Sequence, residues 1–327
     1  MTEFQKHYST TIENLEDLAT TIFVVLDDLY HATAPAEIAR RVNKDAAIMS
    51  DSEVLAIGVL GDMLEIDSEN ALVSFVKKNL KSLFPRMCER SRFNRLRRNL
   101  SSVTEQILRR NLSSVTEQIW LKLNGLMPWT QDDLRIIDSF PLPVCAFGRA
   151  AFRKSRFCGE QANYGHCASK KETFFGYRIH AMCSENGYIT DFLITPASTD
   201  DRAAVWELVE NYRRRIALIG DKGYISPILA QDLMTEKGIQ MFALKKKNDK
   251  NQDPKWLRQT VFKIRRRIET SFSRLTRQFR AESTLAKAMW GLRTRLVSKF
   301  LAFNLGFFIN SVCGRDDRLA HIKGLVF

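Results

Sequence analysis

Three acidic residues stand out by type and placement: Asp138, Asp221 and Glu269. Asp138 ends the apolar run Leu134-Arg135-Ile136-Ile137. Asp221 follows Ile216-Ala217-Leu218-Ile219-Gly220 and opens Asp221-Lys222-Gly223-Tyr224. Glu269 sits inside the very basic stretch Phe262-Lys263-Ile264-Arg265-Arg266-Arg267-Ile268-Glu269-Thr270-Ser271-Phe272. A carboxylate at the carboxyl end of a buried strand is costly to desolvate unless it is paired or holds a cation. Three of them in a chain with a large positive excess point to a metal site that works on a polyanion. The chemistry this pattern implies is phosphodiester transfer on DNA.

Composition sets the frame for such a site. The chain has 327 residues, 45% of them hydrophobic, and a net charge of +13. That length suits about two domains at roughly 150 residues each, and the apolar content can build real cores. The charge is uneven. Residues 1–70 carry four Lys/Arg and fourteen Asp/Glu, a net of −10, which leaves +23 on the rest. A basic body of this kind meets nucleic acid or an anionic surface, while the acidic head reads as a solvated helical face.

The six cysteines, Cys88, Cys145, Cys158, Cys167, Cys183 and Cys313, form no C-x-x-C pair. Cys158, His166, Cys167 and Cys183 match no familiar zinc spacing, so the thiols read as reduced ones of a cytosolic protein. Met1 to Thr10 lacks the apolar core of a signal peptide. The longest apolar stretch, Phe300 to Val312, is broken by Asn304, Gly306, Asn310 and Ser311 and is too short to span a bilayer. The expectation is a soluble, cytoplasmic, nucleoid-associated protein with no membrane partner.

The elements that must position the acids can be placed from local signals. Residues 1–127 read as a helical domain. Ser50-Asp51-Ser52-Glu53 is a capping box ahead of Val54, Leu55, Ile57, Val59, Leu60, Met63 and Leu64. Further helices are expected from Glu69 to about Leu80 and from near Ser91, with Pro85 between them. Six arginines fall between Arg86 and Arg98, suited equally to a DNA end or to a solvated face.

The chain then repeats itself, with Arg97 to Leu108 followed by Arg109 to Trp120, identical except at the last position. If both copies were helical, the extra twelve residues would add about 18 Å and turn the downstream chain by about 120°. The stripe Leu100, Val103, Ile107 would then miss Leu112, Val115, Ile119, so one copy must bulge out or the helix must show two faces.

From about residue 130 the pattern alternates. Strands are expected at Leu134–Asp138, Phe175–Cys183 and Tyr188–Thr195, the last two joined by the turn Ser184-Glu185-Asn186-Gly187. Asp200 or Asp201 caps a helix to about Arg214. Ile216–Gly220 is a fourth strand, Pro227–Lys237 a helix and Ile239–Leu244 a fifth strand. Beyond the polar linker Lys245–Asp253, Pro254 starts a long helix that carries Glu269. This predicts an α/β domain over 128–327, a sheet with helices packed against it.

That order, with an acid on the first strand, another after the fourth and a third on a late helix, resembles the RNase H-like fold. The local motifs resemble DDE transposases of bacterial insertion sequences, closest to the insertion-sequence family numbered nine-eight-two. They are Ile137-Asp138-Ser139-Phe140-Pro141-Leu142-Pro143, Gly176-Tyr177-Arg178-Ile179-His180, Thr195-Pro196-Ala197, Gly220-Asp221-Lys222-Gly223-Tyr224, Arg267-Ile268-Glu269-Thr270 and Ser91-Arg92-Phe93-Asn94. They span nearly the whole chain and are specific in combination. Read singly, Asp138 would cap a turn before Pro141, Asp221 would start a turn, and Glu269 would pair with Arg265 or Arg266. Three acids in this order among these motifs outweigh those uses.

The resemblance implies a two-metal reaction at Asp138, Asp221 and Glu269, with Mg²⁺ or Mn²⁺ rather than zinc. One ion would activate water or a DNA 3′-hydroxyl and the other would stabilise the leaving oxygen, so Tyr224 need not be a nucleophile. Related transposases carry a tyrosine, arginine, glutamate and lysine on the glutamate helix. Here Phe262, Arg265 and Thr276 stand at the tyrosine, arginine and lysine positions, and Arg274 and Arg277 substitute as phosphate contacts. Lys222, Arg265, Arg266, Arg274 and Arg277 are the DNA-binding candidates. His180 lies on the face of Arg178, either near the site or as a satisfied core histidine. Trp256 and Trp290 suit base stacking or a core.

Three functions compete. The first is a transposase that cuts at its element's terminal inverted repeats and joins them to target DNA as a dimer or larger assembly. The second is an RNase H-like nuclease without strand transfer. The third is a DNA-binding remnant disabled by the repeat at 97–120.

Overall fold

The computed structural model describes residues 12–34, 47–101, 115–146, 148, 150, 157, 161–167, 171–210, 212, 215–224, 226–244, 252–283, 285–315 and 321. For Asn99, Ser101, Val115, Glu117 and Lys222 it describes the backbone alone. The chain divides into two compact units: Met1–Met127 with Gln278–Arg280 and Thr284–Phe327, and Pro128–Arg277 with Ala281–Ser283. The late helix over 289–312 therefore groups with the amino-terminal helices and not, as local sequence patterns suggest, with residues 128–277.

In the first unit the described elements are α1 (Leu15–Thr33), α2 (Asp51–Met63), α3 (Glu69–Asn79), α4 (Arg90–Ser101), α5 (Val115–Leu126) and α9 (Met289–Val312). The expected capping box opens α2: Ser50 Oγ accepts from the Glu53 N–H at 3.1 Å, and the Glu53 carboxylate accepts from the Ser50 N–H at 2.6 Å. The apolar run Phe300 to Val312 belongs to α9, which is buried along most of its length against α2 and α5. Its one deep charge is matched, as burial demands. Lys299 Nζ lies 3.3 Å from Asp62 Oδ1 and 2.9 Å from Asp67 Oδ1, and Ser298 Oγ donates to Asp62 Oδ2 at 2.6 Å. No described helix is long and apolar enough to cross a membrane.

The repeat is divided between two helices. Leu100 of the first copy is buried in α4; Thr116, Ile119 and Trp120 of the second are buried in α5. Residues 102–114, and with them Val103, Ile107 and Leu112, lie outside the described residues.

The second unit is a mixed sheet with helices. Its elements are β1 (Leu134–Cys145), β2 (Asn163–Cys167), β3 (Glu172–Cys183), β4 (Ile189–Pro196), α6 (Asp201–Val209), β5 (Ile216–Gly220), α7 (Pro227–Lys237), β6 (Ile239–Ala243) and α8 (Lys255–Arg277). The path across the sheet is β2-β3-β1-β5-β6, and β4 also pairs with β3. The β1–β3, β3–β2 and β3–β4 pairs are antiparallel, whereas β1–β5 and β5–β6 are parallel.

Two strands differ from the sequence-based expectation. β1 does not stop at Asp138 but runs on through Pro141 and Pro143. Its pairing with β5 ends at Ile136↔Ile219, so one side of β1 is open beyond that point. Asp133 C=O accepts from Ala217 N–H on the β5 side. Alternate residues face alike, so the prolines turn their missing N–H to the open side and remove no bond to β3. β2 has no counterpart in the expected strands, and α6 ends at Val209, short of Arg214.

One face of the sheet carries α6 and α7 over Ile137, Met182, Ile216, Leu218 and Tyr224. The other carries α8, where Ile219 packs with Leu244 and Val261.

Candidate active site

Because β1 and β5 lie side by side and parallel, the residues just past their paired stretch emerge at one edge. Side chains alternate along a strand, so Asp138 shares a face with Phe140, and Asp221 follows the phase of Ile219. Ile219 packs on Val261 of α8, and the Phe140 and Phe272 rings meet edge to face at 4.8 Å. Both aspartates are thereby directed to the α8 side.

Helix α8 answers them with a cation. Its buried residues include Val261, Arg265, Ile268, Phe272 and Leu275, a single stripe at helical spacing. Arg265, though set in a basic run, falls on that stripe. Its Nη2 lies 3.4 Å from Asp138 Oδ2 and its Nη1 3.2 Å from Asp221 Oδ1. The Arg265 side chain is 11% exposed, Asp138 20% and Asp221 47%, so the pair is deeper on the Asp138 side.

Glu269 stands one turn beyond Arg265 on the same side of the helix and is exposed, with no ion pair among the described residues. The alternative use of Glu269, a helix pair with Arg265, is not formed, because Arg265 is turned to the two aspartates. Among the described residues no three His, Cys, Asp or Glu side chains converge tightly enough to hold an ion.

The field at Asp138 is that of a carboxylate short of positive charge. Burial pushes its pKa up to about 6, and the negative charges of Asp221 and Glu269 add to the rise. The Ser139 N–H, donating to Asp138 Oδ1 at 2.8 Å, and Arg265 work in the opposite direction.

Behind this lies a buried polar network that sequence patterns mark only in part. His180 is fully buried, with Nε2 3.1 Å from Thr195 Oγ1 and Nδ1 3.4 Å from Tyr224 Oη. Burial, with Arg178 beside it, lowers its pKa to about 4, so it is a neutral, satisfied core histidine. Burial also raises the Tyr224 phenol well above its ordinary range, with Asp201 and Asp138 adding to the shift.

The two adjacent acids of the helix start divide their work. Asp200 caps α6, and its bonds to Arg202 hold its carboxyl down at about 2. Asp201 turns inward instead, 3.5 Å from Ser139 Oγ and 3.7 Å from both Arg178 Nη1 and His180 Nδ1. Burial raises its pKa. Gly223 makes this possible, because a Cβ there would lie 2.9 Å from Asp201 Oδ2. By local pattern Asp201 is a cap like its neighbour. The usable signal is that a helix has one N-cap, which frees the second acid for another role.

The DNA-binding candidates separate by exposure. Arg266 and Arg277 are exposed and Arg274 is half-buried, its Nη1 without a hydrogen-bond partner. Arg265 is buried against the aspartates. Lys222 opens the short turn Lys222–Tyr224, and its side chain lies outside the described residues. Trp256 and Trp290 are 67% and 43% exposed, and neither is core. Arg98 lies over the Trp290 ring at 4.9 Å. Of the residues weighed for zinc, Cys158 lies outside the described residues, and Cys183 is fully buried with its thiol pushed up by burial.

Comparison with known families matches residues 129–305 to the transposase DDE domain, more than half of the chain and a span containing Asp138, Asp221 and Glu269. The chain belongs to the transposase DDE domain family. Among solved structures, this DDE transposase chain is similar to the piggyBac transposase, determined by cryo-EM as a synaptic complex with hairpin DNA. The likeness has a TM-score of 0.53 at 13% identity and covers 98% of this chain and 80% of that one, a resemblance of fold. Comparison with curated protein sequences finds no match.

Proposed function

We propose that this DDE transposase cleaves DNA at the ends of an insertion sequence of the bacterial type and joins those ends to target DNA. The observation that carries the reading is the convergence of Asp138 and Asp221 on a single cationic group, Arg265, beside Glu269. The order β4-β3-β1-β5-β6, with its antiparallel first half and parallel second half, supports an RNase H-like domain. The fold shared with a transposase solved on hairpin DNA supports DNA as the partner.

A divalent metal suits this donor set. All three candidates are carboxylates, and a guanidinium stands in as the cation between two of them. Asp138, Asp221 and Glu269 would hold Mg²⁺, or Mn²⁺, which supplies Lewis-acid activation of the attacking oxygen and charge relief at the leaving one. The Ser139 N–H orients Asp138, and the turn over Asp201 sets the direction of Asp221. The exposed Arg266 and Arg277, with Arg274 and Lys222, would grip phosphates and hold the strand in line. The helices of residues 1–127 would bind the element's ends, and two ends held at once call for a dimer or larger assembly.

The test is Mg²⁺-dependent cleavage of a labelled plasmid that carries the flanking element ends, with wild type beside Asp221→Ala. Cuts confined to the ends and lost in the variant are expected. Scattered cuts would make the chain a nuclease. End binding without cutting, alike in both proteins, would make it a DNA-binding remnant, the outcome the tandem repeat favours.

A further inference from the structure

Arg265 occupies an unusual seat for a residue of a basic helix. It lies on the buried stripe of α8 rather than among the exposed Lys263, Arg266 and Arg267, and it reaches two carboxylates from two different strands with separate nitrogens. Its Nε is buried with no hydrogen-bond partner, so the guanidinium is held by charge at its fork and left unsatisfied at its stem. Without a cation at this edge, Asp138 and Asp221 would face each other with nothing to offset their repulsion. With a divalent ion bound to them, the guanidinium would be a like charge at the same place.

We propose that Arg265 is an internal counter-ion, a positioning residue that holds Asp138 and Asp221 together in the metal-free protein and gives up that seat when a divalent cation binds. This rests on the metal-dependent reading above. It makes the apo site ordered rather than splayed, at the expense of metal affinity. The unsatisfied Nε lowers the cost of leaving.

The test uses the full chain and Mn²⁺ as probe, with binding followed by electron paramagnetic resonance of the free ion and stability followed by thermal unfolding. Arg265→Gln is expected to bind Mn²⁺ about tenfold tighter than wild type, as loss of one competing ion pair would give. It should melt lower than wild type in EDTA, and the gap should shrink at saturating Mn²⁺. Lys263→Gln removes an equal charge from the same helix without touching the carboxylates, and it should bind as wild type does. Asp221→Asn should lose the binding and so locate the ion.

Two further measurements cover the case in which Arg265→Gln does not fold. Arg265→Lys should bind with intermediate affinity. In the wild type, the Arg265 Nε–H resonance should be protected in EDTA and lose that protection as Mg²⁺ is added. Equal Mn²⁺ affinity in wild type and Arg265→Gln, or an Arg265 resonance unmoved by saturating Mg²⁺, would overturn the counter-ion role and leave the metal site standing. Absence of Mn²⁺ binding in both proteins at millimolar concentration would overturn the metal site itself, and the counter-ion role with it.

Discussion

Ser271 of α8 donates a 2.7 Å hydrogen bond to the carbonyl of Gly187, in the turn between β3 and β4. Ser271 lies two residues beyond Glu269, so the bond fixes the stretch of helix that presents the third acid. The turn can come this close only because residue 187 has no side chain. Its φ is +86°, and a Cβ would stand 2.6 Å from Ser271 Oγ. Ser271→Ala leaves a buried carbonyl without its donor and should cost about 1–3 kcal/mol. Gly187→Ala adds a left-handed strain to a clash and should cost at least as much. Urea unfolding measures both, and an unchanged midpoint in Ser271→Ala would show that the tether adds no stability.

Acidity at the site should appear as opposed pH dependences. Asp138 holds its proton more tightly folded, at about 6 against 3.8, so its contribution to stability is full below about pH 4 and lost as pH rises through 6. His180 is the reverse, at about 4 against 6.5, so its contribution is present above pH 6.5 and lost as pH falls through 4. Asp138→Asn should therefore be the more stable protein above pH 6, by about 3 kcal/mol, with the difference vanishing below pH 4. Unfolding curves for the two proteins that run parallel from pH 4 to 7 would rule this out.

Gly223 and Asp201 make a second steric prediction. The Asp201 carboxylate is held near Ser139, Arg178 and His180, so it cannot simply step aside from a methyl group at 223. Gly223→Ala should cost about 1–3 kcal/mol and, by shifting the turn that begins at Asp221, weaken Mn²⁺ binding. In an Asp201→Ala background the same substitution should cost markedly less. Additive costs would mean that the two residues do not meet.

The repeat offers a test of a different kind. Excising residues 102–113 leaves Arg97, Leu100, Thr116, Ile119 and Trp120, the described contributors of α4 and α5, all present. The shortened chain, which keeps one unbroken copy of the repeat, should melt at the same temperature or higher, since a shorter chain loses less conformational entropy on folding. A lower melting temperature would show that residues 102–113 add to the stability of the fold.

The elements legible in the sequence are those set by local chemistry. β5, α7 and β6 lie where an apolar run, Ser226-Pro227 and Gly238 punctuate the chain, because caps and breakers act on their immediate neighbours. β2 escapes such a reading because Asn163-Tyr164-Gly165-His166-Cys167 has no apolar alternation and is held by its partner β3. The prolines of β1 hide its length, since their tolerance depends on where β5 ends. Arg265 reads as one more cation among many. Only its phase with Val261, Ile268, Phe272 and Leu275 marks it as inward, and only the partner strands say why. The placement of α9 depends on contacts with helices that are remote in sequence, which no local pattern carries.

The single stripe of α8 makes the site a matter of phase. One residue gained or lost between Val261 and Glu269 would turn everything beyond it by about 100° and swing the acid or the arginine away from the aspartates. Only changes near a whole number of turns, such as about seven or eleven residues, would restore the angle, and those would displace it along the axis. Chain length is therefore not free to drift within the helix. Twelve residues inserted ahead of Arg265 in this helix, the length of the repeat unit at 97–120, would turn the guanidinium by about 120° from the two aspartates.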